Sequence, residues 1–243
     1  MAREQGFGYL PPPPDGRNHR YLGVAARAQL NEQLGAKPTP RKRAYNEGPR
    51  LNQGRKPHCV GYSVKGFLNA APIMSKHEAE PTADQLYFTA QEHDEWPGRN
   101  YEGSSVRGGC EAGRVHGVVE SYAWFRSGTE AAEWTNGGYG TIIIGTYWYP
   151  QMDDVDGKGF MQMPGSLATP IGGHAYRVNW FDKAVGGWLV VNSWGFTWGI
   201  RKRDGTLTGT AYMTMDAFEQ LCFREEGECA APTQLRIKPV RVA

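Results

Sequence analysis

Three short segments of the chain carry side chains that could together perform acyl transfer through a thiol. Cys59 ends the run Gln-Gly-Arg-Lys-Pro-His-Cys, His174 lies in Gly-Gly-His-Ala, and Asn192 begins Asn-Ser-Trp-Gly. A thiol becomes a strong nucleophile as the thiolate, and a neighbouring imidazolium lowers the thiol pKa far enough to make the thiolate the resting form. We therefore expect Cys59 to be a nucleophile and His174 to be its base.

Two amides could supply the other parts of such a site. An amide oxygen that accepts from the second ring nitrogen of the histidine fixes its tautomer and orientation without adding charge, which is the role we expect for Asn192. The oxyanion that develops during acyl transfer needs preorganised N–H donors. Gln53 lies six residues before Cys59, so its side chain and the backbone N–H of Cys59 at a helix start could provide them.

These segments resemble those of the papain and cathepsin group of cysteine peptidases. In that family a Gln-Gly loop precedes the cysteine by the same six residues as here, the base follows in a Gly-His-Ala context, and Asn-Ser-Trp-Gly with a second Trp-Gly completes the set. Here His174 and Asn192 follow Cys59 by 115 and 133 residues. The resemblance implies that Trp194 shields the histidine–asparagine hydrogen bond from water, whereas Trp198 fits plain packing equally well.

The resemblance also implies a substrate cleft and an activity. Glu102, Gly103 and Ser104 resemble the stretch that lines the family's cleft, where a small residue lets an extended peptide approach for backbone pairing. Gly173, beside the base, is assigned to the same binding surface. The implied activity is that of a cysteine-type peptidase, which hydrolyses a polypeptide substrate through a thioester acyl-enzyme. We expect this chemistry to need no cofactor and no metal.

The segment around the nucleophile departs from the family pattern. The family often has Gly-Ser-Cys-Trp there, whereas this chain has Pro-His-Cys-Val over residues 57–60. Lys56 stands where many members place a cysteine that forms a disulfide near the cleft, so that bond cannot form. Two alternatives therefore stay open. The chain could be a thiol acyltransferase or amidase, including one that cleaves cell-wall amides, or an inactive papain-like protein with a binding or structural role.

The elements that must position Cys59 are helices in the first half of the chain. Apolar residues recur at helical spacing from Cys59 onward and stop before Pro72, which predicts one helix with the cysteine in its first turn. The helix macrodipole favours a thiolate at that position. Thr82 is a candidate N-cap of a second helix, and Ser104 or Ser105 of a third.

From residue 141 the pattern changes to strands rich in β-branched and aromatic residues. The predicted strands cover residues 141–149, 175–181, 188–192 and 211–214. His174 would then begin one strand and Asn192 would end the next, so antiparallel pairing would bring the two together. We predict an α+β, two-lobed papain-like fold. Its helical lobe would cover about residues 44–125 and its β-rich lobe about residues 126–243, with the site in the cleft between them.

Composition limits the classes of partner. The 243 residues are 40% hydrophobic with a net charge of +2, which predicts a globular unit with a proper core and gives no reason to expect nucleic acid. No apolar run reaches the roughly 18 residues that a membrane helix needs, and the first residues lack the apolar segment of a secretion signal. Four cysteines without a Cys-x-x-Cys pair favour a reducing, cytoplasmic or otherwise non-secreted setting. The sequence carries no signal for oligomeric state.

Residues 1–43 are predicted to form an irregular lead before the domain. The four prolines of residues 11–14 favour an extended segment, and Lys-Pro-Thr-Pro at residues 37–40 repeats that signal. A short helix near residues 24–34 is expected between them. Only 58 residues precede Cys59, too few for the full inhibitory segment of the family's precursors. We therefore expect a strap across the surface, with inhibition of the site as the alternative.

Overall fold

The computed structural model describes residues 5–13, 40, 42–74, 80–165 and 167–235. The helix expected near residues 24–34 lies outside these ranges. Within these ranges, the first three helices are α1 (Cys59–Asn69), α2 (Ala83–His93) and α3 (Val106–Val115). All three begin where the sequence analysis expected them to begin.

Local hydrogen bonds explain where these helices begin and end. Thr82 and Gln85 form a capping box at the start of α2, with each side chain accepting from the other residue's backbone N–H. The Ser105 side chain accepts from Gly108 N–H at the start of α3, so Ser105 rather than Ser104 is the cap. Helix α1 ends at Asn69, three residues before Pro72. Proline has no N–H and disfavours helical backbone in the residue before it.

In the described part of the chain, six strands form one antiparallel sheet in the order β1-β6-β2-β3-β4-β5. They are β1 (Val119–Trp124), β2 (Ile142–Trp148), β3 (Gly172–Asp182), β4 (Gly187–Val191), β5 (Thr210–Thr214) and β6 (Glu228–Leu235). Four of them match the predicted strands to within a few residues at either end. A turn at Gly186 joins β3 to β4, and its φ of 73° is one that glycine adopts readily.

Strands β1 and β6 and helix α4 (Gly128–Asn136) were not predicted. Strand β6 reads Glu-Cys-Ala-Ala-Pro-Thr-Gln-Leu, and alanine and proline are depleted in strands, so local propensity argues against it. Pairing with β1 and β2 on either side overrides that propensity. Strand β1 begins within the range assigned to the helical lobe, so both halves of the chain contribute to the sheet.

A core packs against each face of the sheet. Successive strand residues point to opposite faces, so neighbours along one strand belong to different cores. Ile142 and Ile144 face a core shared with α4, α5 (Met215–Glu219), a 3₁₀ turn (Pro150–Asp153) and a π-helical turn (Gln220–Arg224). Ile143 faces a second core, which it shares with α1, α2 and α3. Cys59 belongs to this second core, so the sheet and α1 are pressed together at the nucleophile.

The four cysteines are buried free thiols. Cys110 lies on α3 as a small core residue. Cys222 and Cys229 are neighbours within hydrogen-bond range, without a disulfide between them. Across the described ranges, every helix is too short or too polar to cross a lipid bilayer.

Candidate functional site

Cys59 is the first residue of α1 and touches β3. Its Sγ accepts a hydrogen bond from the backbone N–H of Ala175 at 3.3 Å, and Ala175 directly follows His174. The side chain is completely buried. Residues 116 positions apart in the chain therefore meet at one point, where the start of α1 contacts the N-terminal part of β3.

His174 and Asn192 form the hydrogen bond that the sequence predicted. His174 Nε2 donates to Asn192 Oδ1 at 2.8 Å, and the backbone N–H of Ser193 donates to the same oxygen at 2.7 Å. These two donors fix the orientation of the amide. The other ring nitrogen, Nδ1, has no hydrogen-bond partner among the described residues, so the Cys59 thiol does not bond it directly in this conformation.

Aromatic rings enclose the His174 imidazole. Trp194 stacks on it with ring centroids 4.6 Å apart, and Tyr176 stacks on it at 5.6 Å. Trp148 meets the imidazole edge-on at 5.2 Å. Trp194 thus covers one face of the ring, whereas Trp198 contacts Trp148 and Trp194 but makes no ring contact with His174. Packing is therefore the contribution that the structure assigns to Trp198.

Gln53 connects the two sides of the site. Its Oε1 accepts from the Ser193 hydroxyl at 2.6 Å, and its backbone N–H donates to the Ser193 carbonyl at 2.8 Å. Its Nε2 donates to the Lys56 carbonyl at 2.8 Å and to the Gly6 carbonyl at 3.0 Å. The predicted oxyanion donor therefore already donates to a carbonyl oxygen.

The Gly6 carbonyl belongs to residues 6–10, called the strap below. The strap lies in the groove between α1 and β3. The backbone N–H groups of Gly8 and Tyr9 donate to the Gly173 carbonyl at 3.1 and 2.9 Å. Ser104 N–H donates to the Gly8 carbonyl at 2.9 Å, and Leu10 N–H donates to the Ser104 carbonyl at 3.0 Å. Two residues predicted to bind extended peptide therefore do pair with extended backbone, and that backbone comes from the protein itself.

The remaining predicted cleft residues divide between the strap and solvent. A Cβ on Gly103 would lie 2.8 Å from the Gly8 carbonyl oxygen, so Gly103 allows the strap to approach. Glu102 is exposed at the margin of the groove. The lead was expected across the surface, but its described part lies deeper, because Tyr9 is only 2% exposed.

The strap residues were not predicted to lie at the site, although their alternation carries a signal. A Cβ on Gly6 would lie 2.1 Å from the Lys56 carbonyl oxygen, and one on Gly8 would lie 1.8 Å from that of Pro57. Only glycine fits this close backbone approach. Between the glycines, Phe7 meets the His174 ring edge-on at 5.9 Å. The run Gly-Phe-Gly-Tyr thus presents glycines to the loop before α1 and aromatic rings to the groove.

Burial determines the protonation of the thiol and the imidazole. Desolvation raises the pKa of the Cys59 thiol to about 12, although N–H groups of Ala175, Gly8 and the first turn of α1 act in the opposite direction. Desolvation lowers the pKa of His174 to about 4, partly offset by the Asn192 hydrogen bond. In this strapped conformation the pair is neutral, which departs from the expected resting thiolate. The reason is that both groups are cut off from water, which disfavours their charged forms.

His58, which departs from the family pattern before the nucleophile, is held in place by α2. Its Nδ1 lies 2.8 Å from Asp84 Oδ1, and its ring stacks on Tyr87 with centroids 3.9 Å apart. Lys56 pairs with the same carboxylate at 2.5 Å. The unusual residues before Cys59 thus anchor the loop to α2. Among the described His, Cys, Asp and Glu side chains, none form a group of three that could hold a metal ion.

Similarity to known proteins is found at the level of structure. No protein-family profile and no curated protein sequence matches the chain. The structure matches xylellain, a cysteine protease from Xylella fastidiosa, with a TM-score of 0.63 and 16% identity over 99% of both chains. It also matches procathepsin B S9 from Trypanosoma congolense, with a TM-score of 0.56 and 13% identity over 95% of this chain and 86% of that one.

A third match is procathepsin L 3 from the larval midgut of Tenebrio molitor. Its TM-score is 0.58 at 14% identity, over 94% of this chain and 76% of that one. The chain therefore has the fold of the papain-like cysteine proteases. The predicted α+β fold class is confirmed.

Proposed function

We propose that the protein is a cysteine peptidase that hydrolyses peptide bonds in a polypeptide substrate through a thioester acyl-enzyme. One observation carries the proposal. An extended polypeptide, the strap, occupies the groove beside Cys59 and His174, with its backbone paired to Gly173 and Ser104. A groove that binds extended backbone next to a thiol and an imidazole is suited to peptide-bond chemistry. The fold shared with cysteine proteases supports the same activity.

Each group has a defined part in the proposed reaction. The Cys59 sulfur attacks the scissile carbonyl carbon, and the thiol proton passes to His174 Nδ1, the ring nitrogen left free by the bond to Asn192. The oxyanion accepts hydrogen bonds from Gln53 Nε2 and the Cys59 backbone N–H. His174 then gives the proton to the leaving amine, and the thioester forms. A water molecule, deprotonated by His174, hydrolyses the thioester to the free acid and restores the thiol.

The strap must leave before a substrate can enter. It blocks backbone pairing at Gly173 and Ser104, and the Gly6 carbonyl takes the Gln53 donor that an oxyanion would need. The strap itself is not cleaved, because it presents the N–H of Gly8 to the Cys59 sulfur, where a substrate would present a carbonyl carbon. This N–H lies close enough to the sulfur to lower the pKa of the thiol. We therefore propose that residues 6–10 hold the peptidase in an inhibited form, the alternative raised by the sequence.

A peptide library read by mass spectrometry tests the activity. We expect the Tyr9→Ala variant, whose strap is weakened, to produce new peptide termini. The Tyr9→Ala variant that also carries Cys59→Ala should produce none. Conjugates with an added amine, or fragments from peptidoglycan, would instead identify a thiol acyltransferase or amidase. No product at all, with Cys59 alkylated only as fast as a free thiol, would identify an inactive binding protein.

A further inference from the structure

The Asn192 amide has two different surroundings. Its oxygen accepts from His174, whereas its nitrogen has no partner among the described residues and the residue lines a small cavity. The cavity lies between α1 and the segments before α1 and around the end of β4. Its volume is about 10 Å³, which is room for a single water molecule or a single monoatomic ion.

Four polar atoms of residues lining this cavity are buried and unpaired within the described part of the chain. They are Arg50 Nε, Ser63 Oγ, Arg177 Nη1 and Asn192 Nδ2. Three of them can only donate, and the hydroxyl can also donate. Buried donors in native proteins almost always have an acceptor, because an unmade hydrogen bond is costly. Four donors on residues that line one cavity therefore call for an acceptor that the described part of the chain does not supply.

The charges around the cavity also favour an acceptor, and specifically one that is negatively charged. Arg177 is 5% exposed and stays charged near neutral pH, because burial lowers its pKa only to about 10. Arg50 is paired with Glu47 at 2.5 Å, and this carboxylate is also the one that favours the charged form of Arg177. One carboxylate thus faces two guanidinium groups, which leaves an excess of one positive charge. A buried charge without a partner is strongly unfavourable.

Gly66 on α1 makes this arrangement possible. A Cβ at position 66 would lie 2.5 Å from Arg177 Nε, so a glycine there admits the guanidinium against the helix. A glycine in the middle of a helix lowers its stability. The chain therefore accepts a helix-destabilising residue in α1 next to a buried cation.

We propose that this cavity is a binding site for one monoatomic anion, which is chloride in ordinary physiological solution. A water molecule fits less well, because it must place its own two hydrogens on acceptors and only Ser63 Oγ among the four atoms can accept. Phosphate and sulfate are too large for the space. The bound halide would accept from Asn192 Nδ2 while Asn192 Oδ1 accepts from His174, so it would help to hold the amide in its observed orientation.

Thermal unfolding tests the site without any measurement of activity. At fixed pH and ionic strength, sodium gluconate is replaced stepwise by sodium chloride or bromide. We expect the unfolding temperature of the wild-type protein to rise and follow a one-site saturation curve, because a ligand bound only by the folded state stabilises it. Arg177→Gln should weaken halide affinity at least about tenfold. Arg126→Gln, which removes a guanidinium from the surface pair with Glu130, should leave the affinity unchanged.

Two further measurements cover the case in which Arg177→Gln fails to fold. Ser63→Ala removes one donor with little change in volume and should weaken halide affinity about threefold to tenfold. Crystals of the wild-type protein soaked in bromide should show an anomalous peak between Arg50, Ser63, Arg177 and Asn192. The proposal is overturned if halide and gluconate give the same unfolding temperature, or if the anomalous map shows no peak there. Neither result bears on whether the protein is a peptidase.

Discussion

Two buried polar regions meet at Asn192, and they differ in whether their ionisable groups carry charge. On one side, the thiol of Cys59 and the imidazole of His174 are covered by the strap and by aromatic rings, and both are neutral. On the other side, the guanidinium of Arg177 is equally buried and remains charged. The difference follows from their chemistry, because a thiol and an imidazole can shed their charge near neutral pH, whereas a guanidinium cannot.

From this comparison we propose that the strap helps to set the protonation state of Cys59 and His174. The thiol and imidazole are covered in part by residues 6–10, and if this segment leaves as proposed, their neutrality is reversible. What surrounds Arg177 belongs to the helices and strands of the core, so its charge must be balanced in place. Each of the following predictions changes one side of this comparison.

The largest effect is expected from Tyr9→Ala, which loosens the cover over the thiol. Removing a large buried aromatic side chain costs about 3–5 kcal/mol, and we expect strap occupancy to fall accordingly. The rate of Cys59 alkylation by iodoacetamide at neutral pH should rise about 10²–10³-fold, measured by peptide mapping. Phe196→Ala, at a ring that is 63% exposed, is the matched control and should change nothing. Equal rates in all three proteins would show that the strap does not protect the thiol.

Gln53→Ala tests the donor that the strap now occupies. In the Tyr9→Ala background we expect kcat to fall about 10²-fold with little change in KM, because the amide would act only on the developing oxyanion. Peptide hydrolysis measured over a range of substrate concentrations separates the two constants. Gln162→Ala, at an exposed position, serves as the control. A loss confined to KM would assign Gln53 to ground-state binding and reject its oxyanion role.

The pH dependence of alkylation shows whether the cover causes the neutrality. With the thiol pKa near 12 and the imidazole pKa near 4, the wild-type protein has almost no thiolate at pH 7. Returning water to the site favours both charged forms, so the thiol pKa falls and the imidazole pKa rises. In Tyr9→Ala the midpoint of the alkylation profile should therefore move to lower pH by at least about one unit. A midpoint that stays in place would mean that the fixed aromatic walls alone keep the pair neutral.

Glu228 offers the smallest effect and a third buried group for the comparison. Burial raises its pKa to about 8 from an ordinary value of 4.5, although Val106 N–H and Arg107 N–H donate to its carboxyl oxygens. Because the folded state favours the protonated form, its stabilisation is complete below pH 4.5 and is lost as pH rises through 8.

Glu228→Gln keeps the neutral shape and should remove that part of the pH dependence. We expect the fall in unfolding temperature between pH 7 and pH 8 to shrink by about 2–4 °C, which corresponds to about 1 kcal/mol for a chain of this size. Scanning calorimetry on both proteins measures the difference. If both show the same fall, Glu228 is ionised in the folded protein and does not follow the thiol and imidazole.

Much of the scaffold around Cys59 was predictable because its signals are local. The cap at Thr82, the apolar spacing after Cys59 and the stop before Pro72 each act within a few residues of the chain. The His174–Asn192 bond was predictable as well, since β3 and β4 are adjacent antiparallel strands joined by one turn. Strand β6 was not, because its alanines and proline form a strand only through their partners in the sheet.

The sequence by itself determined which residues could carry thiol chemistry, the order of most helices and strands, and the pairing of His174 with Asn192. Hydrogen bonds along short segments and the periodicity of apolar residues are written directly into the order of the residues. Only the tertiary structure decided that residues 6–10 fill the groove, that Cys59 and His174 are neutral there, and that Arg177 borders a cavity of unpaired donors. Desolvation and charge balance depend on which distant segments come together, and no single segment contains that information.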